Sequence, residues 1–302
     1  MGDDKYIMRA HPYTPKKLQF PVWVSEKLDG VPVDLRFNDT RCTGISRQGE
    51  DVVAPIEHLQ KALSKSRVRK ESGAHIVGEL YIPNTPFKII SGYARRDTPD
   101  MDTRKLQLRV FDAWSEHDST LTFHQRKQMA QEIVSRCNSP LEISMIPQVF
   151  IRTQDELNIF IEKFMAGNKR SEGLVIKNDS GTYDKSIRSW DFQKLKRKQS
   201  RDLEVIGFEE AISKEDGSGL GMVGRINVRF HDRANGGAGA CDIGIGPGKM
   251  THTERKLAWA NARGWCKGDR ICEAEFMPDD SYKAGMREAK FMRWRPDRSE
   301  GE

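Results

Sequence analysis

Charged residues become informative where a strand pattern places them together on one face. In "FQKLKRK", alternation puts Lys194 and Lys196 on one face and Leu195 on the other. Two adjacent ammonium groups repel unless an anion lies between them, so the pair reads as an anion site. In "HIVGELYI", Glu79 points away from Ile76, Gly78, Leu80 and Ile82, and in "SEGLVIK", Glu172 enters an apolar strand directly before a glycine. Phe111 in "RVFDAW" faces opposite to Val110 and Asp112 by the same alternation. A third lysine, Lys27, stands with Asp29 and Gly30 in "SEKLDGVP" at the end of a strand-like run. Alone, that stretch is a charged hairpin turn, and a lone strand carboxylate is a surface residue. The information lies in the order: a lysine at a turn, two acids on separate strands with an aromatic strand between, then paired lysines.

The elements that must position these residues follow from periodicity. "FPVWVSEKLDG" and "VPVDLRF" read as strands flanking a turn, "HIVGELYIP" and "LQLRVFDAW" as strands rich in branched and aromatic residues. "PIEHLQKALSKSRV" carries Ile56, Leu59 and Leu63 at helical spacing. "FHQRKQMAQEIVSRC" and "TQDELNIFIEKFMAG" are helices, the second opened by a Thr153/Glu156 capping box and closed by Gly167. "PNTPFKIISGYARR" reads as a loop, and "EGLVIKN" and "SWDFQKLKRK" as two further strands. Beyond Lys198 come five strand candidates, "LEVIGFEEAIS", "GRINVRF", "CDIGIG", "RICEAEF" and "KFMRWRP". One helix, "THTERKLAWANAR" with a Thr251/Glu254 capping box, lies between the third and fourth. That layout is expected of an OB-fold, a small barrel that often binds oligonucleotides. "RKQSRDL" is a hinge candidate near residue 200, and "NGGAG" (235–239) a hairpin loop.

The 302 residues are 37% hydrophobic and 31% charged, the composition of a globular chain long enough for two domains. No apolar run approaches the ~20 residues of a membrane span, and the acidic start "MGDDKYIMRA" lacks the apolar core of a signal peptide. Five cysteines without a C-x-x-C pair argue against a disulfide framework or zinc knuckle and for a reducing cytoplasm. A net charge of +6, with the runs "SKSRVRK" (64–70) and "KLKRKQSR" (194–201), is compatible with a polyanionic partner.

In this order the motifs resemble those of the covalent nucleotidyltransferases, most closely the minimal ATP-dependent DNA ligases. The lysine motif is "EKLDG", with Glu26 and Lys27; a serine-arginine element is "SRQGE", with Arg47; the third motif is "GELY", with Glu79. "RVFDAW" supplies Phe111, "EGLVIK" supplies Glu172 and Lys177, and "KLK" supplies Lys194 and Lys196. "RWRPDR", with Arg295, Asp297 and Arg298, is similar to the final motif, and "GMREAKFMRWR" to the stretch that leads into it.

The resemblance implies an α+β fold: a nucleotidyltransferase (ATP-grasp-like ligase) domain with antiparallel sheets over 1–199, then an OB-fold β-barrel over 200–302. It implies that Lys27 takes AMP from ATP, passes it to the 5′-phosphate of a nick, and that the 3′-hydroxyl then displaces it. Lysine is protonated at neutral pH, so a nucleophilic Lys27 requires neighbouring positive charge, here Lys194 and Lys196, or desolvation. Asp29, expected on the same face, would orient it. Glu172 would contact Mg2+ (or Mn2+), with Glu79 at the metal or the ribose hydroxyl, and Phe111 would stack on adenine. Glu26, Arg47 and Lys177 would line the nucleotide site, while Arg295, Asp297 and Arg298 would cover the pyrophosphate. Arg36, Arg47, Arg95, Arg96, Arg197 and Lys198 are the expected DNA contacts.

The family motif usually continues Lys-x-Asp-Gly-x-Arg, and here Pro32 takes the place of that arginine. Only 26 residues precede Lys27, so no separate N-terminal DNA-binding domain is expected, and the expected state is a cytoplasmic monomer acting on nicked duplex DNA. The alternatives are an RNA ligase or messenger-RNA-capping guanylyltransferase of the same superfamily, or a non-enzymatic OB-fold nucleic-acid-binding protein.

Overall fold

The computed structural model describes residues 7–37, 42–52, 54–64, 73–168, 171–186, 188–231, 240–262, 270–279, 281–298 and 301. Most of the basic run 64–70, the loop 235–239 and Cys266 lie outside the described residues. The chain divides into two compact units, residues 1–196 and 197–302.

The first unit holds two five-stranded sheets. One contains β1 (Arg9–Pro12), β2 (Val22–Glu26), β8 (Gln148–Ile151), β9 (Gly173–Asn178) and β10 (Arg188–Lys196), in the order β1-β10-β9-β2-β8. The other contains β3 (Val31–Phe37), β4 (Cys42–Ser46), β5 (Ala74–Tyr81), β6 (Gln107–Ser115) and β7 (Ile143–Met145), in the order β4-β3-β5-β6-β7. All pairings are antiparallel except β1 with β10 and β6 with β7. Four of these strands, β1, β4, β7 and β8, are absent from the sequence reading; each is five residues or shorter, too brief for alternation to show.

Each sheet buries one face under helices. Val33, Leu35, Ile76, Leu80, Leu108 and Val110 form one core with Leu59 and Leu63 of α1 (Glu57–Ser64), Ile90 of α2 (Phe87–Ala94) and Ile133 of α3 (Phe123–Arg136). Val22, Val24, Leu174 and Ile176 pack with Leu157 of α4 (Gln154–Gly167) in a second. Each such aliphatic side chain contributes roughly 1.5–3 kcal/mol of burial, so these two cores hold the sheets against their helices. The remaining faces share a small cluster of Ile7, Val77 and Trp114 with Phe111 and Tyr183.

Three local expectations change. Residues 87–94, read as a loop because proline precedes them and Ser91-Gly92 interrupts the run, are helix α2, whose Ile90 and Ala94 are buried. At α4 the Thr153 hydroxyl caps Glu156 N, but Glu156 Oε2 accepts from Arg152 N, so the reciprocal half of the box is missing; the last helical residue is Gly167, with Asn168 as cap. The full box instead opens α3, between Thr122 and Gln125.

The second unit is an antiparallel sheet of β11 (Gln199–Ile212), β12 (Gly219–His231), β13 (Ala240–Ile245), β14 (Ile271–Pro278) and β15 (Met286–Trp294), in the order β13-β12-β11-β14-β15. These are the five expected strands, and α5 (His252–Ala260), opened by the full Thr251/Glu254 box, follows the third. Among the described residues the ladders do not close into a barrel: the outer strands meet through an isolated bridge, Gly246 to Lys290. The segment expected to hinge near residue 200 is strand from Gln199 onward, leaving Arg197 and Lys198 between β10 and β11.

Candidate active site

Strand register assembles the site. β9 lies between β2 and β10: Glu26 pairs with Leu174, Leu174 with Leu195, and Lys196 with Gly173. The ladder runs one step past β2, where Lys27 N donates to Gly173 O at 2.9 Å. Lys27, Glu172 and Lys196 therefore stand in a row across three strand ends. The carboxylate of Glu172, whose side chain is 4% exposed, accepts from Lys27 Nζ at one oxygen and lies 3.3 Å from Lys196 Nζ at the other. A carboxylate of the protein itself thus lies between Lys27 and Lys196.

Two glycines permit this convergence. At Gly173, φ is +142° and a Cβ would lie 1.9 Å from Leu195 O, so only glycine lets β10 cross there. At Gly30 a Cβ would meet Leu80 O at 2.3 Å, which presses the Lys27–Gly30 loop against β5 and brings Glu79 to the lysine.

Electrostatics ties the rest together. Burial pushes the Glu79 carboxyl up to about 7; Lys27 and Arg47 pull it down, and Glu172 adds to the rise. Lys194 falls to about 8, first by burial and then through the charges of Lys196, Lys27, Arg188 and Arg47. Arg47, exposed on the turn after β4, thus acts on Glu79 and on Lys194.

Asp29 does not share a strand face with Lys27, because β2 ends at Glu26 and both residues lie in the connecting loop. Its charge and that of Glu26 act on Tyr81, whose hydroxyl is raised first by burial. Phe111 is the extra residue of a bulge: Val77 pairs with Asp112 but Gly78 with Val110. The bulge reverses the alternation beyond it. Asp112 therefore leaves the core face of Val110 and meets Arg126 Nε at 2.9 Å and Lys177 Nζ at 2.8 Å. Burial would raise Asp112, yet Arg126 and Lys177 hold it below the ordinary range; burial lowers Lys177 to about 8 against the pull of Asp112. Lys177 also donates to Phe111 O at 2.9 Å and lies 4.8 Å from the Phe111 ring centre, so it fixes the aromatic strand.

The sequence reading missed Arg126 and His75. Arg126 sits on the buried stripe of α3 with Phe123, Ala130 and Ile133, a spacing visible in the sequence. Buried His75 bridges Asp34 and Glu116 at 3.0 Å each and stacks on Trp114.

The expected DNA contacts are dispersed. Arg36 Nε lies 4.0 Å from Asp34 at the far end of β3 from the Lys27 loop. Arg95 is exposed after α2, while Arg96 is held by Asp100 and Asp102 and lies over Tyr93. In the second unit, Lys198 pairs with Glu275 at 2.6 Å, and Arg197 precedes it between β10 and β11. There too Arg295 binds Asp202 and Asp297 at 2.9 Å each, and Arg298 lies 3.5 Å from Asp202. The bond from Arg295 is the first cause that lowers Asp297 to about 2.

Residues 8–196 match the ATP dependent DNA ligase domain family. No match was found among curated protein sequences. Among solved structures, one described as Pmar-Lig_PreS3 is similar at TM-score 0.75 and 19% identity, over 95% of this chain and 67% of that one. A structure from a study of Lig E DNA ligases that bind DNA with a minimal scaffold gives 0.71 and 20%, over 96% and 98%. The ATP-dependent DNA ligase of bacteriophage T7, in complex with ATP, gives 0.56 and 16%, over 96% and 98%. At these identities the structures show a shared fold. The family match covers more than half of the chain, which places it among enzymes that join nucleic-acid strands at the expense of a nucleotide. The chain belongs to the ATP-dependent DNA ligase family: its cofactor is ATP and its substrate DNA.

Proposed function

We propose that this ligase seals 3′-hydroxyl/5′-phosphate nicks in duplex DNA through a covalent lysyl-AMP on Lys27. The observation that carries the reading is the convergence of Lys27, Glu172 and Lys196 at three adjacent strand ends, with Glu79 and Lys194 in electrostatic reach. Lys27 Nζ leaves its ion pair with Glu172, releases its proton to water and attacks the α-phosphorus; a P–N bond forms as the bond to pyrophosphate breaks. Lys194 and Lys196 stabilise the charge that develops on the phosphate oxygens. The phosphoramidate is then attacked by the 5′-phosphate at the nick, which restores Lys27, and the 3′-hydroxyl displaces AMP to close the strand. Phe111, stacked on adenine, and Glu26, Arg47 and Lys177 complete the nucleotide site, and Asp29 orients Lys27.

The donor set fits a hard divalent cation. Glu172 and Glu79 supply carboxylate oxygens close enough for Glu172 to raise Glu79, and Mg2+ needs only one or two carboxylates beside water and phosphate oxygens. Mg2+ (or Mn2+) would neutralise charge on the triphosphate. Among the described residues no group of three metal-binding side chains is present, which leaves water and phosphate oxygens as the other ligands of such an ion.

The second unit is proposed to be an OB-fold, supported by its five strands, the helix after the third, and the bridge between its outer strands. Its Arg295, Asp297 and Arg298 are assigned to the pyrophosphate. Arg36, Arg47, Arg95, Arg96, Arg197 and Lys198 are assigned to the DNA backbone. A monomer in a reducing cytoplasm accords with the free thiols of Cys42, Cys137, Cys241 and Cys272; no helix among the described residues is long and apolar enough to cross a membrane.

Mass spectrometry after incubation with ATP and Mg2+ tests the nucleophile. The expected result is an acid-labile AMP adduct on Lys27, absent from Lys27→Ala. An adduct elsewhere, or wild-type labelling of the variant, overturns the assignment.

A further inference from the structure

The edge of the first sheet carries a second basic surface. Between β1 and β10 the register jumps: Ala10 pairs with Ser189, yet His11 pairs with Gln193, so Trp190, Asp191 and Phe192 have no partner in β1. Trp190 is left 42% exposed, a large apolar surface that folding alone gives no reason to leave in water. Its indole stacks on His11 at 3.8 Å between ring centres with planes 6° apart, and Lys17 Nζ lies 5.7 Å from its ring. His11 is fixed in turn by Nε2 against Arg188 O at 3.0 Å.

The surrounding cations are uncompensated. Among the described residues, Arg9, Lys16, Lys17 and Arg188 have no carboxylate within salt-bridge distance, unlike Arg96, Lys105 and Arg136 elsewhere in this unit. Arg9 Nε is buried yet lacks a hydrogen-bond partner. Arg9 and Arg188 are register partners, which places two guanidinium-bearing residues side by side on adjacent strands.

The surface is also continuous with the active site. Arg188 pairs with Arg9 and Lys194 with Pro12, so three steps along β1, about 10 Å, separate Arg188 from Lys194, and His11 adjoins Pro12. The Arg188 charge contributes to the lowering of Lys194. About 10 Å is three steps of a DNA strand, whose phosphates recur roughly every 3.4 Å along the axis.

We propose that the Trp190–His11 stack and the cations Arg9, Lys17 and Arg188 form a docking surface for the sugar–phosphate backbone of duplex DNA, within a few nucleotides' length of the lysine cluster. The rings pack against deoxyribose and the cations pair with phosphates, an arrangement that positions DNA without reading its sequence. The proposal rests on the nick-sealing reading above.

The test measures binding of a fluorescent nicked duplex by anisotropy, and adenylation by ATP without DNA, for wild type, Trp190→Ala and Lys17→Ala. The expected result is a Kd raised about fivefold or more by Trp190→Ala at unchanged adenylation. For Lys17→Ala the slope of log Kd against log salt should fall by about one unit. Unchanged affinity and slope in both variants overturns the proposal. So does a loss that tracks Tm and adenylation equally, or a changed oligomeric state at unchanged affinity. Failure of the nick-sealing reading would appear separately, as a wild-type protein that takes no AMP and joins no strands.

Discussion

Glu79 carries the most perturbed of the carboxylates beside Lys27, and its position sets the pH behaviour of the site. Its pKa in the fold is about 7, above its ordinary value of 4.5. A carboxyl whose folded pKa is raised supports the fold fully while it is neutral in both states. That support is lost as pH rises through about 7, because ionising the folded protein then costs more than ionising the unfolded chain. Glu79→Gln cannot ionise, so its Tm relative to wild type should increase between about pH 5 and about pH 8. Catalysis runs the other way, since a ribose or metal contact uses the carboxylate. Wild-type adenylation should rise through about pH 7, and Glu79→Gln should be slower and lack that limb. A Tm difference independent of pH would show that Glu79 is not held in its neutral form.

At the scale of elements, the site depends on strands that approach more closely than side chains permit. Gly173 is the clearest case, since a methyl group would lie 1.9 Å from Leu195 O at a φ of +142°. Gly173→Ala should force β9 and β10 apart where Glu172 meets Lys196. The expected outcome is a loss of roughly 1–3 kcal/mol in denaturant unfolding, with adenylation reduced at least 100-fold. A stable variant with full adenylation would show that the three strand ends need not meet. This closeness also bears on what was legible beforehand. That Lys27, Glu79, Glu172, Lys194 and Lys196 would come together was readable because their motifs lie on regular strands or directly at their ends. Asp112 was not: one extra residue at Phe111 reverses the face of everything after it, and alternation counted across a bulge gives the wrong side. The same limit hid the exposure of Trp190, where three residues of β10 have no partner in β1. Helix α2 escaped because Pro86, Ser91 and Gly92 are loop-forming residues, and burial of Ile90 and Ala94 outweighs that local preference.

For the whole molecule, the net charge of +6 separates the two kinds of anion the enzyme must hold. The proposed ATP site is compact and its cations are both buried and crowded: burial first, then the charges of Lys196, Lys27, Arg188 and Arg47, lowers Lys194 to about 8. DNA presents a long array of phosphates with condensed counterions, and each phosphate neutralised lowers the slope of log K against log salt by about 0.9. The two steps should therefore respond differently to ionic strength. Between about 50 and about 200 mM salt, affinity for a nicked duplex is expected to fall tenfold or more, while adenylation at saturating ATP changes several-fold less. Sealing at low DNA concentration should follow the binding curve, and sealing of pre-adenylated enzyme on saturating DNA should lose most of that sensitivity. Equal salt slopes for adenylation and DNA binding would mean that basic residues outside the lysine cluster, including those of the β1–β10 edge, contribute little to holding the duplex.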